Sequence, residues 1–436
     1  MTVALLLARA GHRVVLYEQA RELGGLWAAS LDDDGYFLSE NSCKVFQSTY
    51  RAAPALFRLL GTRWQAHFTP RHDLGRDWLA PFVADSSFAD LAKIAFAYMR
   101  HAAGSRKYRD VSVADFLETH RIGEACQSWM RATALGGITG TLRMTMWELF
   151  HRLRGNLASV LLGAKGPLHW NAQPPNSADG FVTLWRNELQ RLGVSLRAGC
   201  GVAALSSANE GKQGSVALLT AAGSRVVVDA VFLAVPPPAL SRLLLTSGAG
   251  VAEGFGRDRE RLRAMLAESL YEHLGIAWYF DRELTAELPL GGHNVRRSWY
   301  PILVQHPQYR RHLRAPAASV VTGSLSLDTD FVHERLGTRA RDHKPEELAR
   351  ILWEDERRAD PTLPEPIGHH VFGLSSATQV VRHGPLPIKA SAAPVYLATN
   401  LNGHSRYFTA SLESAIESGA AAAAAFDASV ERLRES

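Results

Sequence analysis

The first eighteen residues constrain the fold of this chain more than any other stretch. Between Thr2 and Ala10 (TVALLLARA), Val3, Leu6, Leu7 and Ala10 recur at helical spacing, and Gly11 supplies a residue suited to the left-handed end of a helix. His12 to Tyr17 (HRVVLY) is a short β-branched, apolar run of the kind buried in a parallel sheet, and it ends in the acidic Glu18. Helix, glycine turn, strand and terminal acid make up the second half of a dinucleotide-binding βαβ unit, where the acid accepts the ribose hydroxyls of an adenosine. A complete unit opens with a buried strand and GxGxxG about 20 residues before the acid, whereas Met1 stands 17 residues before Glu18. The spacing predicts that roughly a dozen residues, carrying the first strand and the glycine loop, precede this Met.

The rest of the chain bounds the class of protein. Its 436 residues allow two or three domains, or two built from interleaved segments. A hydrophobic share of 46% against 21% charged is that of a globular protein with a large core, not a disordered one. The net charge of +5 is small and its Arg residues are scattered, which argues against a nucleic-acid partner. Cys43, Cys126 and Cys200 are too few and too far apart for a disulfide scaffold or a CxxC metal site, so reduced thiols and a cytoplasmic location are expected. No run of about 18 apolar residues predicts a membrane span. The apolar start lacks the basic leader of a signal peptide.

Soon after the acid comes Glu22-Leu23-Gly24-Gly25, a glycine pair that permits a tight turn with backbone amides close to a phosphate or a flavin. Here the sequence resembles the flavoproteins of the amine oxidase, protoporphyrinogen oxidase and phytoene desaturase superfamily, in which strand, Glu and Gly-Gly recur in this order. It departs from them at Ala20 and Leu26, where those proteins commonly carry Arg. GGLW (Gly24 to Trp27) also looks like the equivalent stretch of flavin-containing monooxygenases.

From about 50 to 170 the chain reads as a helical cap, with Ser87 to Asp90 and Ser112 to Asp115 opening apolar-periodic runs as capping boxes do. After the loop Pro174 to Gly180, Phe181 to Leu192 reads as a helix and Val194 to Leu196 as a strand. Ser215 to Leu219 and Arg225 to Val228 flank a hairpin turn at Ala221 to Ser224, and Ala230 to Val235 closes the region as a buried strand before three prolines. This order resembles the second FAD-binding segment of the superfamily, with Val202 where those proteins present a backbone to adenine. Gly248 to Gly254 spells GxGxxxG, but the run before it, Ala239 to Leu245, reads as a helix; a flexible surface loop is expected instead of a nicotinamide-cofactor site.

Pro394 to Ala398 reads as a buried strand, followed by a polar loop from Thr399 to His404 and by Leu412-Glu413-Ser414-Ala415-Ile416-Glu417-Ser418-Gly419 opening an Ala-rich helix. Superfamily members end in a strand with AGD or AGE, a loop, and a helix start of the form GxxxGAIxSG. The resemblance implies that this helix start points its amides at the flavin's pyrimidine edge and that the residue at 400 holds the ribityl chain. Thr399 and Asn400 replace Gly and the acid, and Ala410 and Ser414 replace two glycines; Asn can still hydrogen-bond a ribityl hydroxyl.

In such proteins the flavin carries the redox chemistry, so no nucleophile or metal is needed. None of the 17 histidines, His369-His370 and His404 included, has metal-site spacing, and no GxSxG elbow occurs. An aromatic residue of ordinary amine oxidases aligns with Ser411, no Lys lies between Lys212 and Lys344, and Arg382-His383 falls where relatives often have a Trp. These differences argue against an ordinary monoamine or polyamine oxidase. Pocket candidates are His169, Trp170, Trp299, Tyr300 and His383. With no Cys after Cys200, non-covalent FAD is expected.

The resemblance thus implies an α/β fold. A Rossmann-like FAD-binding domain is expected from 1–50, 175–245 and 385–436, with an interleaved α+β substrate domain from 51–174 and 246–384. Implied cofactor contacts are Glu18, Arg21, Gly24, Gly25, Leu26, Val202, Ala234, Asn400, Leu412 and Ala415, with no metal. The implied activity is FAD-dependent oxidation of an amine or apolar small molecule by hydride transfer. Two alternatives stand beside it: a non-catalytic relative acting as a binding scaffold, and an NADPH-dependent flavin monooxygenase.

Overall fold

The structure, a computed structural model, describes residues 1–40, 45–71, 82–137, 141–151, 153, 169–172, 180–207, 214–268, 270–284, 298–378, 385–406, 411–430 and 433. Helix α1 (Thr2–Arg9) turns Val3, Leu5, Leu6 and Leu7 into the core. It ends as the sequence predicts: Gly11 takes a φ of 88°, and His12 donates to the carbonyl of Leu7 at 3.0 Å. Strand β1 (Val15–Tyr17) follows, then β2 (Ala29–Leu31) and β3 (Phe37–Glu40), which pair as a hairpin. Next come β4 (Val45–Gln47), α2 (Ala52–Leu59), β5 (Phe68–Arg71) and the helices α3 (Phe88–Ala102), α4 (Val113–Thr119) and α5 (Glu124–Ala132). Both expected caps are present. The Ser87 hydroxyl accepts from the Asp90 amide, and Ser112 and Asp115 form a reciprocal capping box at α4.

Strand β6 (His169–Ala172) lies between β4 and β5 in a three-stranded antiparallel sheet. This corrects the expectation of a wholly helical stretch from 50 to 170. Phe46, Phe57, Trp64, Phe68 and Phe181 pack edge to face and stacked in one cluster, and it is this long-range aromatic packing, invisible to local periodicity, that makes short strands of β4 and β5.

Helix α6 (Phe181–Arg191), β7 (Ser195–Arg197), β8 (Val202–Ser207), β9 (Val216–Thr220), β10 (Arg225–Val228) and β11 (Val231–Leu233) follow. Strands β8, β9 and β10 form an antiparallel meander, its second turn closed by Thr220 and Ser224 with Gly223 at a φ of 84°. Helix α7 (Pro237–Thr246) confirms the helix expected before the glycine-rich run. The run itself differs from the expected loop. Residues 249–252 make a helical turn and 253–255 a 3-10 turn, and Gly254 lies so close to Ala390 that an added Cβ would stand 2.9 Å away.

After α8 (Arg259–Glu268) come β12 (Leu270–Phe280), β13 (Ile302–Gln305), β14 (Ser319–Ser326), α9 (Pro345–Ala359) and β15 (Gly368–Thr378). These strands form an antiparallel sheet in the order β13-β14-β12-β15, and α9 covers it by packing Leu348, Leu352 and Trp353 against Trp278 and Phe280. Strand β16 (Val395–Leu397) and helix α10 (Leu412–Phe426) complete the chain.

Two parallel pairings join segments far apart in sequence. Strand β1 pairs with β7, Val15 opposite Ser195, and β11 pairs with β16, Val231 opposite Val395. Only connections that carry the chain away and back can make parallel neighbours, so these pairs fix how the separated segments assemble. The buried antiparallel sheet leaves no slack: a Cβ on Gly323 in β14 would come within 2.6 Å of the fully buried Trp278 ring, whose indole N–H is held by the carbonyl of Ala349 at 2.9 Å. Gly323→Ala is expected to cost about 1–3 kcal/mol through overpacking, measured as a lowered midpoint in chemical denaturation.

Candidate functional site

Several of the residues singled out from the sequence lie at the ends of the two parallel strand pairs. Past β1 the pairing continues for one step: the Glu18 N–H donates to the Arg197 carbonyl at 3.0 Å, and the Glu18 carbonyl accepts from Cys200 at 2.8 Å. The Glu18 carboxylate accepts from the Ala20 amide at 2.9 Å and stays half-buried at the strand end, with Arg21 exposed beside it.

The glycine pair behaves as its chemistry requires. Gly24 has a φ of 119° and Gly25 a φ of 55°, and a Cβ on Gly24 would press on Val182 in the first turn of α6 at 3.2 Å. Leu26 is exposed in the 3-10 turn that follows. Val202 opens β8 opposite Thr220, half-buried, beside a bulge.

At the second parallel pair, Ala398 donates to the Leu233 carbonyl at 2.9 Å, so exposed Ala234 and the Thr399-Asn400 turn leave the sheet at the same end. Thr399 Oγ1 and Asn400 Nδ2 are both shielded from solvent with no hydrogen-bond partner among the described residues. Asn402 ties this turn to α10, donating to the carbonyls of Leu397 at 2.8 Å and Ser418 at 3.1 Å. Gly403, at a φ of 72°, has no room for a side chain, since its Cβ would lie 2.5 Å from Pro385.

Helix α10 is capped by Ser411, whose hydroxyl accepts from the Ser414 amide at 3.0 Å. Leu412 and Ile416 enter the core, and Ala415 is exposed on the other side of the first turn. The N–H groups of this turn have no intrahelical acceptor and carry the positive end of the helix dipole. Glu413 points away from them and is 0% exposed. Its carboxylate accepts from the amides of Arg51, Ala52 and Ala53 at 2.6, 2.7 and 2.8 Å, the start of α2. Pro54 has no N–H, so Glu413 takes up the donors that this helix start leaves open. Desolvation pushes the Glu413 carboxyl above its usual range, and the three amides pull it back.

The sequence reading passed over Glu413 as a structural group; an acid between Leu412 and Ser414 in the first turn of an Ala-rich helix was the available signal. It also missed Asn402. The pocket candidates do not gather in one place. His169 and Trp170 lie in β6, Trp299 is fully buried in the core beside the antiparallel sheet with its indole donating to the Phe331 carbonyl, and Tyr300 packs against Ala132 and Leu135. Trp299 and Tyr300 take positive φ values of 66° and 52°, a strained pair for bulky side chains. His383 lies outside the described residues.

Two outcomes test this geometry. Glu413→Ala is expected to lose about 3 kcal/mol of stability, because charge-assisted bonds to three amides disappear at once, and Glu413→Gln to lose less; urea unfolding measures both. Asp427, at the end of α10, is held down at about 2 by the Ser429 hydroxyl and by His12, 2.7 Å away. A depressed carboxyl contributes stability above its unfolded value of about 3.9 and loses it as pH falls through the folded value. Asp427→Asn should therefore flatten the loss of thermal stability between about pH 4 and pH 2.

Comparison with known proteins agrees with this arrangement. The sequence model described as flavin containing amine oxidoreductase matches residues 1–261. No curated protein sequence matches significantly. Among solved structures, putrescine oxidase bound to putrescine superimposes with a TM-score of 0.66 at 13% identity, covering 98% of this chain and 96% of that one. Cyclohexylamine oxidase from Brevibacterium oxydans gives 0.63 at 12% identity, covering 99% and 97%. An oxidoreductase from Methanosarcina mazei gives 0.63 at 12%, covering 96% of each chain. The mixed α/β fold is thus the fold of those amine oxidases, and the chain belongs to the flavin containing amine oxidoreductase family.

Proposed function

We propose that the protein is an FAD-dependent oxidoreductase that oxidises an amine or apolar small molecule, with FAD held non-covalently across the ends of the parallel strands. The observation that carries this reading is the pair of solvent-shielded, unpartnered polar groups on Thr399 and Asn400, at the strand end nearest α10. Buried polar atoms without partners cost free energy, so their presence at a strand end suits a polyol chain that supplies the missing bonds.

In this reading Glu18 accepts from the adenosine ribose hydroxyls, and Gly24 and Gly25 bring backbone close to the phosphates. Val202 offers its backbone to adenine, and Ala234 and Asn400 flank the ribityl chain. Arg21 and Leu26 complete the edge near the glycine pair. The first turn of α10, from Leu412 to Ala415, sets its amides toward the isoalloxazine. Bound FAD would supply the hydride acceptor. The chain's own residues position the substrate and exclude water, and the helix dipole favours negative charge developing beside it.

The parallel pairings support one FAD-binding unit assembled from 1–50, 175–245 and 385–436, and the sheet β12 to β15 with its covering helix supports a substrate unit from 51–174 and 246–384. His169, Trp170, Trp299, Tyr300 and His383 remain the proposed pocket or pocket-supporting residues of that unit.

Titration with FAD, followed by flavin fluorescence and the visible spectrum, tests the reading. Saturable binding is expected, with flavin released into the supernatant after acid precipitation because no covalent link forms. Asn400→Ala should weaken binding about fivefold, the worth of about one hydrogen bond, and Glu18→Ala by a similar or larger factor. A folded protein with a cooperative melt that takes up no FAD would leave the scaffold alternative. Flavin reduction by NADPH alone would favour the monooxygenase.

A further inference from the structure

Helix α3 packs Ile94, Ala97 and Tyr98 against the helical core, yet it carries a second line of bulky apolar residues on its solvent side. Phe88, Ala92, Ala95, Phe96 and Met99 follow one another at i, i+4, i+7, i+8 and i+11 and are all exposed, whereas Asp90, Ala97 and His101 face inward. Phe88 is 87% exposed, Phe96 56% and Met99 60%, and Val83 just before the helix is 49% exposed. Single exposed apolar residues are ordinary, but a contiguous stripe of large ones is not.

The stripe ends in cations. Arg100 lies over the Phe96 ring at 5.8 Å, and the turn after the helix brings Arg106, Lys107 and Arg109. Among the described residues, none of these four cations makes an ion pair with a carboxylate. Two of the nearby acids are turned elsewhere, and Asp110, exposed beside Arg109, makes no ion pair among the described residues. Asp90 is buried with Ser87, Lys93 and the Gly123 amide, and Asp85 accepts from the Trp129 indole.

We propose that this face docks the protein on an anionic lipid surface, with Phe88, Phe96 and Met99 in the acyl boundary and Arg100, Arg106 and Lys107 against headgroup phosphates. Charge selects this occupant. An anionic bilayer offers apolar depth for the stripe and phosphate for the cations together. Fifteen residues of helix span about 22 Å, short of a bilayer core of about 30 Å, and among the described residues no helix is long and apolar enough to cross a membrane. The contact is therefore peripheral, and it does not depend on the flavin reading.

Co-sedimentation of the full chain with vesicles of phosphatidylcholine, with and without phosphatidylglycerol, tests the proposal. Binding is expected to the anionic vesicles alone and to fall as salt is raised. Phe88→Ser with Phe96→Ser should lower the bound fraction about tenfold or more, and Arg106→Glu with Lys107→Glu should abolish the preference for phosphatidylglycerol. Both pairs alter exposed side chains, so an unchanged melting temperature certifies the fold. No binding to anionic vesicles at low salt, or binding that both double variants retain, overturns the proposal. A dimer that light scattering shows dissociating on Phe96→Ser, without vesicle binding, also overturns it and assigns the stripe to a second copy.

Discussion

The geometry of the proposed cofactor edge rests on one buried carboxylate. Glu413 lies in the first turn of α10, yet it satisfies the start of a different helix, α2, some 360 residues earlier in the chain. An ionised group removed from water is tolerable only when fully hydrogen-bonded. Three amides and the positive end of the α2 dipole meet that condition together. With its acid anchored on α2 the first turn of α10 is fixed in place, Leu412, Glu413 and Ser414 buried and Ala415 exposed. The orientation of the helix start thus follows from where its acid is anchored. Close contact reinforces it: Gly419 admits Thr2 so nearly that an added Cβ would lie 3.0 Å from the Thr2 Cβ, locking α10 onto α1.

Legibility in the sequence followed the range of the interaction that shapes each element. Helix α1, its glycine end and β1 were readable because spacing and a left-handed glycine are local. The meander turn around Gly223, the caps at Ser87 and Ser112 and helix α7 were readable for the same reason. Strands β5 and β6 were not. Strand β5 depends on Phe46, Phe57, Trp64, Phe68 and Phe181 meeting from distant segments, and β6 on its pairing with β4 and β5; nothing in a short window registers either. The helical turn in 249–252 was hidden in a similar way. Gly254 looks like loop flexibility in the sequence, but it serves close approach to Ala390.

The candidate site divides along the same line. Glu18 and the Gly24-Gly25 pair were found by order and type, and the structure places them at a strand end and in left-handed conformations. Asn400 could be located only by its place after a buried strand. Its meaning comes from a property no sequence carries, a shielded amide nitrogen without an acceptor. Asn402, two residues on, has the same chemistry and the opposite use: both its donor bonds go to the carbonyls of Leu397 and Ser418. Two asparagines in one short turn therefore separate into a brace and a side chain whose amide nitrogen has no acceptor among the described residues.

That separation also explains how a chain departing from its relatives' motifs can keep their architecture. Thr399 and Asn400 stand where those proteins have Gly and an acid, and each adds a polar atom that the folded chain leaves unmatched. Each such atom costs about 1–3 kcal/mol, a cost that core packing alone gives no reason to keep. Apolar residues of similar size would relieve it without disturbing β16, whose pairing with β11 uses only backbone. Ser414 and Ser418 repeat the pattern along α10, their hydroxyls shielded and unpartnered on the helix that faces the same turn. Unmatched polar atoms occur elsewhere too, at Ser324 and Ser326 in β14 for example, but here four lie on one turn and the helix beside it, as the proposed cofactor edge requires.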